Sequence, residues 1–312
     1  MKQTVLFLQP VFTHNIWGGT KLRDEYGYEI EGNDIGECWG ISAHAHGDCV
    51  VREGEYKGLH LSEMWDKHPE MFGNVSGDRF PLLVKIIDAK DDLSIQVHPS
   101  DAYAGEYENG SLGKTECWYI LDCEKDATLV VGHNARTKEQ LQSMVEQAQW
   151  SELIREVPIK KGDFIQITPG TVHAIKGGIM LLETQQNSDI TYRVYDYDRL
   201  SNGKPRELHI QKSLDVINVP ADAVEDTVVH ALHVPKNTFY KLEECEYYKV
   251  FKVDIDGTME EEQVYPFLLM SIVEGNGFIN GQALVKGDHF IVPSGYGRMH
   301  LSGKMQIIAS TI

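Results

Sequence analysis

The stretch Leu93-Ser94-Ile95-Gln96-Val97-His98-Pro99 alternates strictly, with Leu93, Ile95 and Val97 on one face and Ser94, Gln96 and His98 on the other. A period of two is that of a β-strand with one polar face. Such a face either meets water or lines the inside of a barrel. In the second case Gln96 and His98, adjacent on that face, reach the same point and can serve as two ligands of one metal ion.

The rest of the chain reads as more short strands broken by turn residues. Trp17-Gly18-Gly19 is a tight, aromatic-flanked turn, and Cys38-Trp39-Gly40-Ile41-Ser42-Ala43-His44 is a strand with Ser42 and His44 on one face. Residues 61–72 read as a short amphipathic helix capped by Ser62 and ended near Gly73. The apolar run at 80–88 predicts a buried strand, joined through Ala89-Lys90-Asp91-Asp92 to the strand at 93–99 as a hairpin. Lys85 inside that run either snorkels to the surface or points at an anion.

The next strand, 113–121, places Lys114, Glu116 and Trp118 on one face, and a turn at 122–126 leads to a strand at 127–131. From 137 to 154 a helical period takes over, with Leu141, Met144, Val145, Ala148, Leu153 and Ile154 forming a stripe behind a cap at Thr137. Strands return at 161–168, before the turn Pro169-Gly170 and His173, and again at 178–184 and 190–196. Glu183 and Arg193 are charged residues within those strands; the plain role for Arg193 is an ion pair with Asp196 or Asp198. A polar stretch from 218 through Asp226 reads as a linker, dividing a segment 1–225 from a segment 226–312. Lys286-Gly287-Asp288-His289-Phe290-Ile291-Val292-Pro293-Ser294-Gly295 aligns without a gap on the stretch 161–170, with Arg298 where His173 stands. That is the pattern of a duplicated barrel whose second copy lacks the histidine.

The net charge of −18, from 29 Lys and Arg against 47 Asp and Glu, repels polyanions and leaves no footprint for nucleic acid or an anionic membrane. An anionic ligand then needs a local cation. Five widely spaced cysteines without a C-x-x-C pair read as reduced thiols. The N-terminal apolar run is short for a signal peptide, and no stretch approaches the roughly 18 apolar residues of a membrane span, so a cytoplasmic protein is expected.

Gln96, His98, Glu116 and His173 are therefore the candidate ligands. With Glu116 the one anionic member, a divalent ion would keep a net charge near +1, suited to an anionic substrate or a developing enediolate. Zinc accepts this donor set, and iron and manganese are also chemically allowed.

The Q-x-H-P strand, the K-x-E strand and the P-G-x-x-H turn, in this order, resemble the cupin motifs, with Gln in place of the usual first histidine. The fuller set, with Ile16-Trp17-Gly18-Gly19, Glu37-Cys38-Trp39-Gly40-Ile41-Ser42 and Ile190-Thr191-Tyr192-Arg193-Val194-Tyr195-Asp196, resembles type I mannose-6-phosphate isomerases of the shorter bacterial form. The resemblance implies a mainly β fold of two cupin-type jelly-roll barrels with a small helical segment. It also implies a monomeric or homodimeric enzyme with one zinc ion per chain that acts on a sugar phosphate. By matching motif positions, Gln96, His98, Glu116 and His173 hold the zinc, and Lys114 and Arg193 are the functional cations, with Ser94 and Glu183 nearby.

In this chain the spacing from His98 to Glu116 is longer than in simple cupins. The motif before the carboxylate is shorter than in the long-form enzymes, which bears on Lys114. Candidates for the proton-transfer base are Glu183, Lys114 with its charge suppressed by the metal, and His44. Ser94, Lys85 and Lys114 are phosphate-binding candidates beside Arg193, and Trp17 and His44 are further candidates for substrate contact. An iron-dependent cupin oxygenase and a non-catalytic sugar-phosphate-binding cupin are the alternative readings.

Overall fold

Every residue of the strand Ile179–Gln186 is buried, because both of its faces are covered. Ile179 and Leu181 join one apolar cluster, Met180 and Leu182 another. In this computed structural model, which describes residues 4–224, 227–230 and 234–312, the strand is central to a seven-stranded sheet. The order is Val228–His230, Asp163–Ile167, Glu116–Asp122, Ile179–Gln186, Leu82–Ala89, Val11–Gly19 and Ile35–Ile41.

A five-stranded sheet, Ile154–Pro158, Thr128–His133, His173–Ala174, Ile95–Val97 and Tyr192–Tyr195, faces it. Together they form the jelly-roll barrel expected of a cupin. Trp118, Ile120, Val131, Ile165 and Leu181 fill one part of its interior. The outer face of the five-stranded sheet is covered by the helices Lys138–Glu146 and Ile210–Val216, against which Ile95 and Val97 pack.

An eight-stranded sheet built mainly from residues after 239 curls around a second core that includes Phe251, Leu268, Phe290 and Ile307. It also takes in Leu6–Gln9, which pairs with His289–Pro293, and Val50–Val51. A third cluster, with Trp65, Phe72, Phe80 and Phe267, lies between this sheet and the outer face of the seven-stranded one. The boundary expected at residues 225 and 226 lies outside the described residues. Among those described, no helix is long and apolar enough to cross a membrane.

Four local expectations are corrected. Leu82–Ala89 and Ile95–Val97 do not pair as a hairpin: the first pairs with Ile179–Gln186 and Ile35–Ile41, the second with His173–Ala174 and Tyr192–Tyr195. The chain between them crosses from one sheet of the barrel to the other. Leu93 lies in that crossing and joins the interior cluster, so it does not share a face with Ile95 and Val97. The helical period over 137–154 is split into Lys138–Glu146 and Trp150–Leu153 by Ala148, whose φ is +51°, and Ile154 opens a strand. Thr137 caps the first helix as expected, accepting the Gln140 N–H. The helix after residue 60 is capped by His60 rather than Ser62, whose hydroxyl bonds Asp48 instead.

The two aligned segments share a turn. Gly162 and Gly287 both have φ near +90°, and the carboxylates of Asp163 and Asp288 accept the backbone N–H of the residue three positions before, Lys160 and Val285. Arg298, the residue aligned with His173, is exposed beside Glu260 and Glu262.

Candidate active site

Gln96 points into the barrel from the middle of its strand, and His173 stands directly opposite it on the neighbouring strand. His98 follows one turn of the alternation later, and Glu116 approaches from the facing sheet as the first residue of its strand. Gly170 has φ +83°, and its N–H donates to the His98 carbonyl at 2.9 Å. A side chain at 170 would meet the Asn218 amide. Only glycine fits both the left-handed backbone and that contact.

The potential ligand atoms of His98, Glu116 and His173 lie within 4.8 Å of one another. His98 Nε2 is 3.6 Å from Glu116 Oε2, and His173 Nε2 is 3.4 Å from Glu116 Oε1. Each ring donates from Nδ1 to a backbone carbonyl, His98 to Ile190 and His173 to Thr171, both at 2.8 Å. This leaves both Nε2 lone pairs aimed at the same point, the arrangement in which an outer partner sets the tautomer of a ligating histidine. Burial drives both imidazoles down, His98 well below its ordinary range and His173 to about 4, so both are neutral. Glu116 is fully buried; its Oε2 meets the Lys114 ammonium, while its Oε1 has no hydrogen-bond donor. Such an orphaned acceptor beside two neutral imidazoles fits a divalent cation. The Gln96 amide nitrogen faces His173 Nε2 at 3.2 Å, and a half-turn of the carboxamide presents its oxygen instead.

Lys114 Nζ lies 2.6 Å from Glu116 Oε2 and 3.9 Å from Glu183 Oε1. Burial lowers its pKa, but the two carboxylates outweigh that and hold it above an ordinary lysine. Glu183 is buried too, and the Lys114 and Lys85 ammonium groups pull it down against that burial. Its Oε2 accepts the Trp118 indole N–H at 3.0 Å. Lys85 does not snorkel: its ammonium sits inside, 3.5 Å from Glu183, 3.7 Å from Glu37 and over the Trp39 ring.

Lys114, Glu183 and Lys85 open onto a cavity of about 200 Å³, which Trp17, Ser94, Gln96 and Arg193 also line; His98, Glu116 and His173 lie behind Gln96 and Lys114 and do not line it. Arg193 is not paired with Asp196 or Asp198. It donates to the Ser94 hydroxyl at 3.3 Å and to the Glu207 carbonyl at 2.9 Å. Asp196 is instead held by Arg199 and Arg206. His44 does not line the cavity. It stands behind Asp189, with Nε2 3.6 Å from one carboxylate oxygen, while His46 bonds the other. The His46 backbone N–H donates to His44 Nδ1 at 3.2 Å, so neutral His44 carries its proton on Nε2, facing Asp189.

Sequence reasoning did not single out Glu37, Trp39, Asp189, Thr191 or Arg206, all of which line the cavity. Glu37 and Trp39 were legible as an alternating pair on Ile35–Ile41. Arg206 lies in a loop and carried no periodic signal.

Residues 5–121 match a family described as phosphomannose isomerase type I, catalytic domain, and residues 238–312 match the mannose-6-phosphate isomerase cupin domain. The chain is 52% identical over 310 residues to mannose-6-phosphate isomerase ManA of Bacillus subtilis strain 168, covering 98% of each. The chain belongs to the type I phosphomannose isomerase family. A second relative, the mannose-6-phosphate isomerase of Streptococcus mutans, is 45% identical, with 98% of this chain and 97% of that protein covered. The crystal structure of the Bacillus subtilis mannose 6-phosphate isomerase superposes with a TM-score of 0.91 at 47% identity, over 99% of this chain and 100% of that one. Type I phosphomannose isomerases depend on a metal; among the described residues two groups could hold one, the fully buried His98, Glu116 and His173, and the largely exposed His44, His46 and Asp189.

Proposed function

We propose that this type I phosphomannose isomerase interconverts mannose 6-phosphate and fructose 6-phosphate with one zinc ion held by Gln96, His98, Glu116 and His173. The observation that carries the reaction is the identity to a mannose-6-phosphate isomerase over nearly the whole of both chains. The donor set supports zinc: two neutral imidazoles, one carboxylate and a neutral amide suit a borderline ion with no geometric preference. When bound, the ion supplies Lewis-acid polarisation of the sugar's C1 and C2 oxygens and stabilises the enediolate between aldose and ketose.

The protein's own groups do the rest. Lys114 and Glu183 are the proton-handling pair; 3.9 Å separates Nζ from Oε1, which has no hydrogen-bond partner, and burial keeps bulk water from the exchange. Trp118 orients the Glu183 carboxylate through its indole N–H. Lys85 keeps Glu183 ionised from the other side. Arg193, with the Ser94 hydroxyl beside it and Arg206 lining the same cavity, offers the fork that a sugar phosphate needs. Trp17 walls the cavity, and His44 acts on the substrate only through Asp189.

The test is a coupled isomerase assay on mannose 6-phosphate with purified protein, before and after chelation and zinc reloading. Turnover should vanish with chelation, return with zinc, and fall in Lys114→Met and Glu183→Gln. Turnover indifferent to chelator, or to both substitutions, sinks the reading.

A further inference from the structure

The ammonium of Lys114 and the carboxylate of Glu116 are carried by residues 113–116, and only the last of these lies in a strand. The regular ladder between the strands Glu116–Asp122 and Ile179–Gln186 ends at the pair Glu116 and Gln185. Beyond that point, side chains and loops take over the bonds that a sheet would supply. The Gln186 carboxamide oxygen accepts the Thr115 N–H at 2.9 Å, and the Gln186 N–H donates to the Thr115 carbonyl at 3.0 Å. Its amide nitrogen donates at 2.9 Å to Asp101 Oδ1, which also accepts the Gly113 N–H at 2.6 Å. The Lys114 N–H goes to the Pro99 carbonyl at 3.0 Å, one residue beyond His98. A Cβ on residue 113 would collide with the backbone of Ser100 and Asp101, so glycine lets the two segments close on each other.

The consequence is geometric. His98 leads into Pro99, Ser100 and Asp101, and Glu116 is preceded by Gly113, Lys114 and Thr115, so one buried glutamine with one aspartate staples two ligand-bearing segments together. Gln186 is 3% exposed and Thr115 3%. The Thr115 bond to Gln186 is buried, and losing it leaves a buried backbone N–H without a partner, whereas the bonds to Asp101 are partly exposed. We propose that Gln186, together with Asp101, is a positioning residue that sets Lys114 against the substrate. This rests on the role assigned to Lys114 above.

The experiment compares Gln186→Leu, Gln186→Glu and the conservative Asp101→Asn. Readouts are steady-state kinetics, metal bound per chain and thermal unfolding. In Gln186→Glu the carboxylate still accepts from Thr115 but faces Asp101 with like charge. In Asp101→Asn the carboxamide oxygen takes the place of the one Asp101 oxygen that accepts from both Gly113 and Gln186, so the staple is kept without its charge. Both Gln186 variants should lose about 10- to 100-fold in kcat, the scale of a misplacement near 1 Å. KM for mannose 6-phosphate and bound metal should stay within about twofold, and Asp101→Asn should keep most of the kcat that the Gln186 variants lose. Three outcomes overturn the inference: Gln186 variants that keep kcat, Gln186 variants whose kcat falls only with bound metal or folded protein, and an Asp101→Asn variant that loses as much turnover as Gln186→Leu. Lys114→Met separates this from the reading it rests on: full activity there removes the role of Lys114, whereas loss there with unchanged Gln186 variants overturns only the staple.

Discussion

Gln96 and His173 face each other across neighbouring strands, with their side-chain nitrogens 3.2 Å apart, and the direction of that pair fixes where a metal held by both would lie. Because the two residues are direct cross-strand partners, the ladder fixes the separation of their Cα atoms and keeps both side chains on one face. The other two candidate ligands close on this pair from a loop and from the facing sheet.

Gln96→Ala and His173→Ala each remove a proposed ligand. Both should lower metal affinity by more than the roughly 10- to 100-fold that loss of an outer-sphere partner causes. Metal analysis after dialysis, with activity measured across a zinc titration, checks this. His173→Ala should be the more severe, since it also leaves Glu116 Oε1 facing an empty space.

Gln96→Glu is expected to act differently. A second carboxylate takes the net charge of the loaded site from near +1 to near zero, so metal should be held at least as tightly while kcat falls by about tenfold or more as the pull on the substrate oxygens weakens. Equal or higher kcat would mean that ligand charge does not limit the reaction.

Arg193→Ala and Arg206→Ala should raise KM for mannose 6-phosphate by roughly 10- to 100-fold each, the scale of a lost hydrogen bond to a charged group. Arg206→Ala additionally frees one side of the Asp196 carboxylate. Kinetics with mannose in place of its phosphate give the control: without the phosphate, the arginine substitutions should make little difference.

Acid stability should depend on Asp196. Burial raises its pKa, but hydrogen bonds from Arg206 and Arg199 outweigh this and place it below its ordinary 3.8. A carboxylate depressed in the folded state stabilises the fold above its unfolded pKa, and that contribution is lost as pH falls through the lower folded value. Asp196→Asn should therefore lower the melting temperature near neutral pH and flatten the loss of stability below pH 3.8. Melting curves from neutral pH down through that window measure it.

Much of the site was legible in the sequence because its residues obey short-range rules. Gln96 lies on an alternating face, Glu116 and Trp118 share a face of one strand, and Pro169-Gly170 marks the turn that leads to His173. The misreadings came where two outcomes share one local pattern. A short turn between two apolar strands looks the same in a hairpin and in a crossover between sheets, and only distant partners decide between them. The helical stripe over 137–154 continues past Ala148 in periodicity, but pairing of Ile154 with His133 takes the end of it into a sheet. Arg206 and Asp189 enter the cavity from irregular segments, where no period reveals direction.

What the sequence by itself determined, then, is which side chains share a strand face, where glycine must allow a left-handed turn, and which motifs mark the family. Alternation and backbone sterics act over a few residues, and alternation holds only as far as the strand runs, as Leu93 shows by leaving the face of Ile95 and Val97. Only the tertiary structure decided which faces look inward and which groups meet. That choice depends on covering both faces of each sheet at once, as at Ile179–Gln186. It also depends on stabilising buried charges by partners far away in the chain, as Lys85 and Lys114 do for Glu183. The polar face of Ser94, Gln96 and His98 turned inward because a second sheet closed over it and brought Glu116 within reach of His98 and His173.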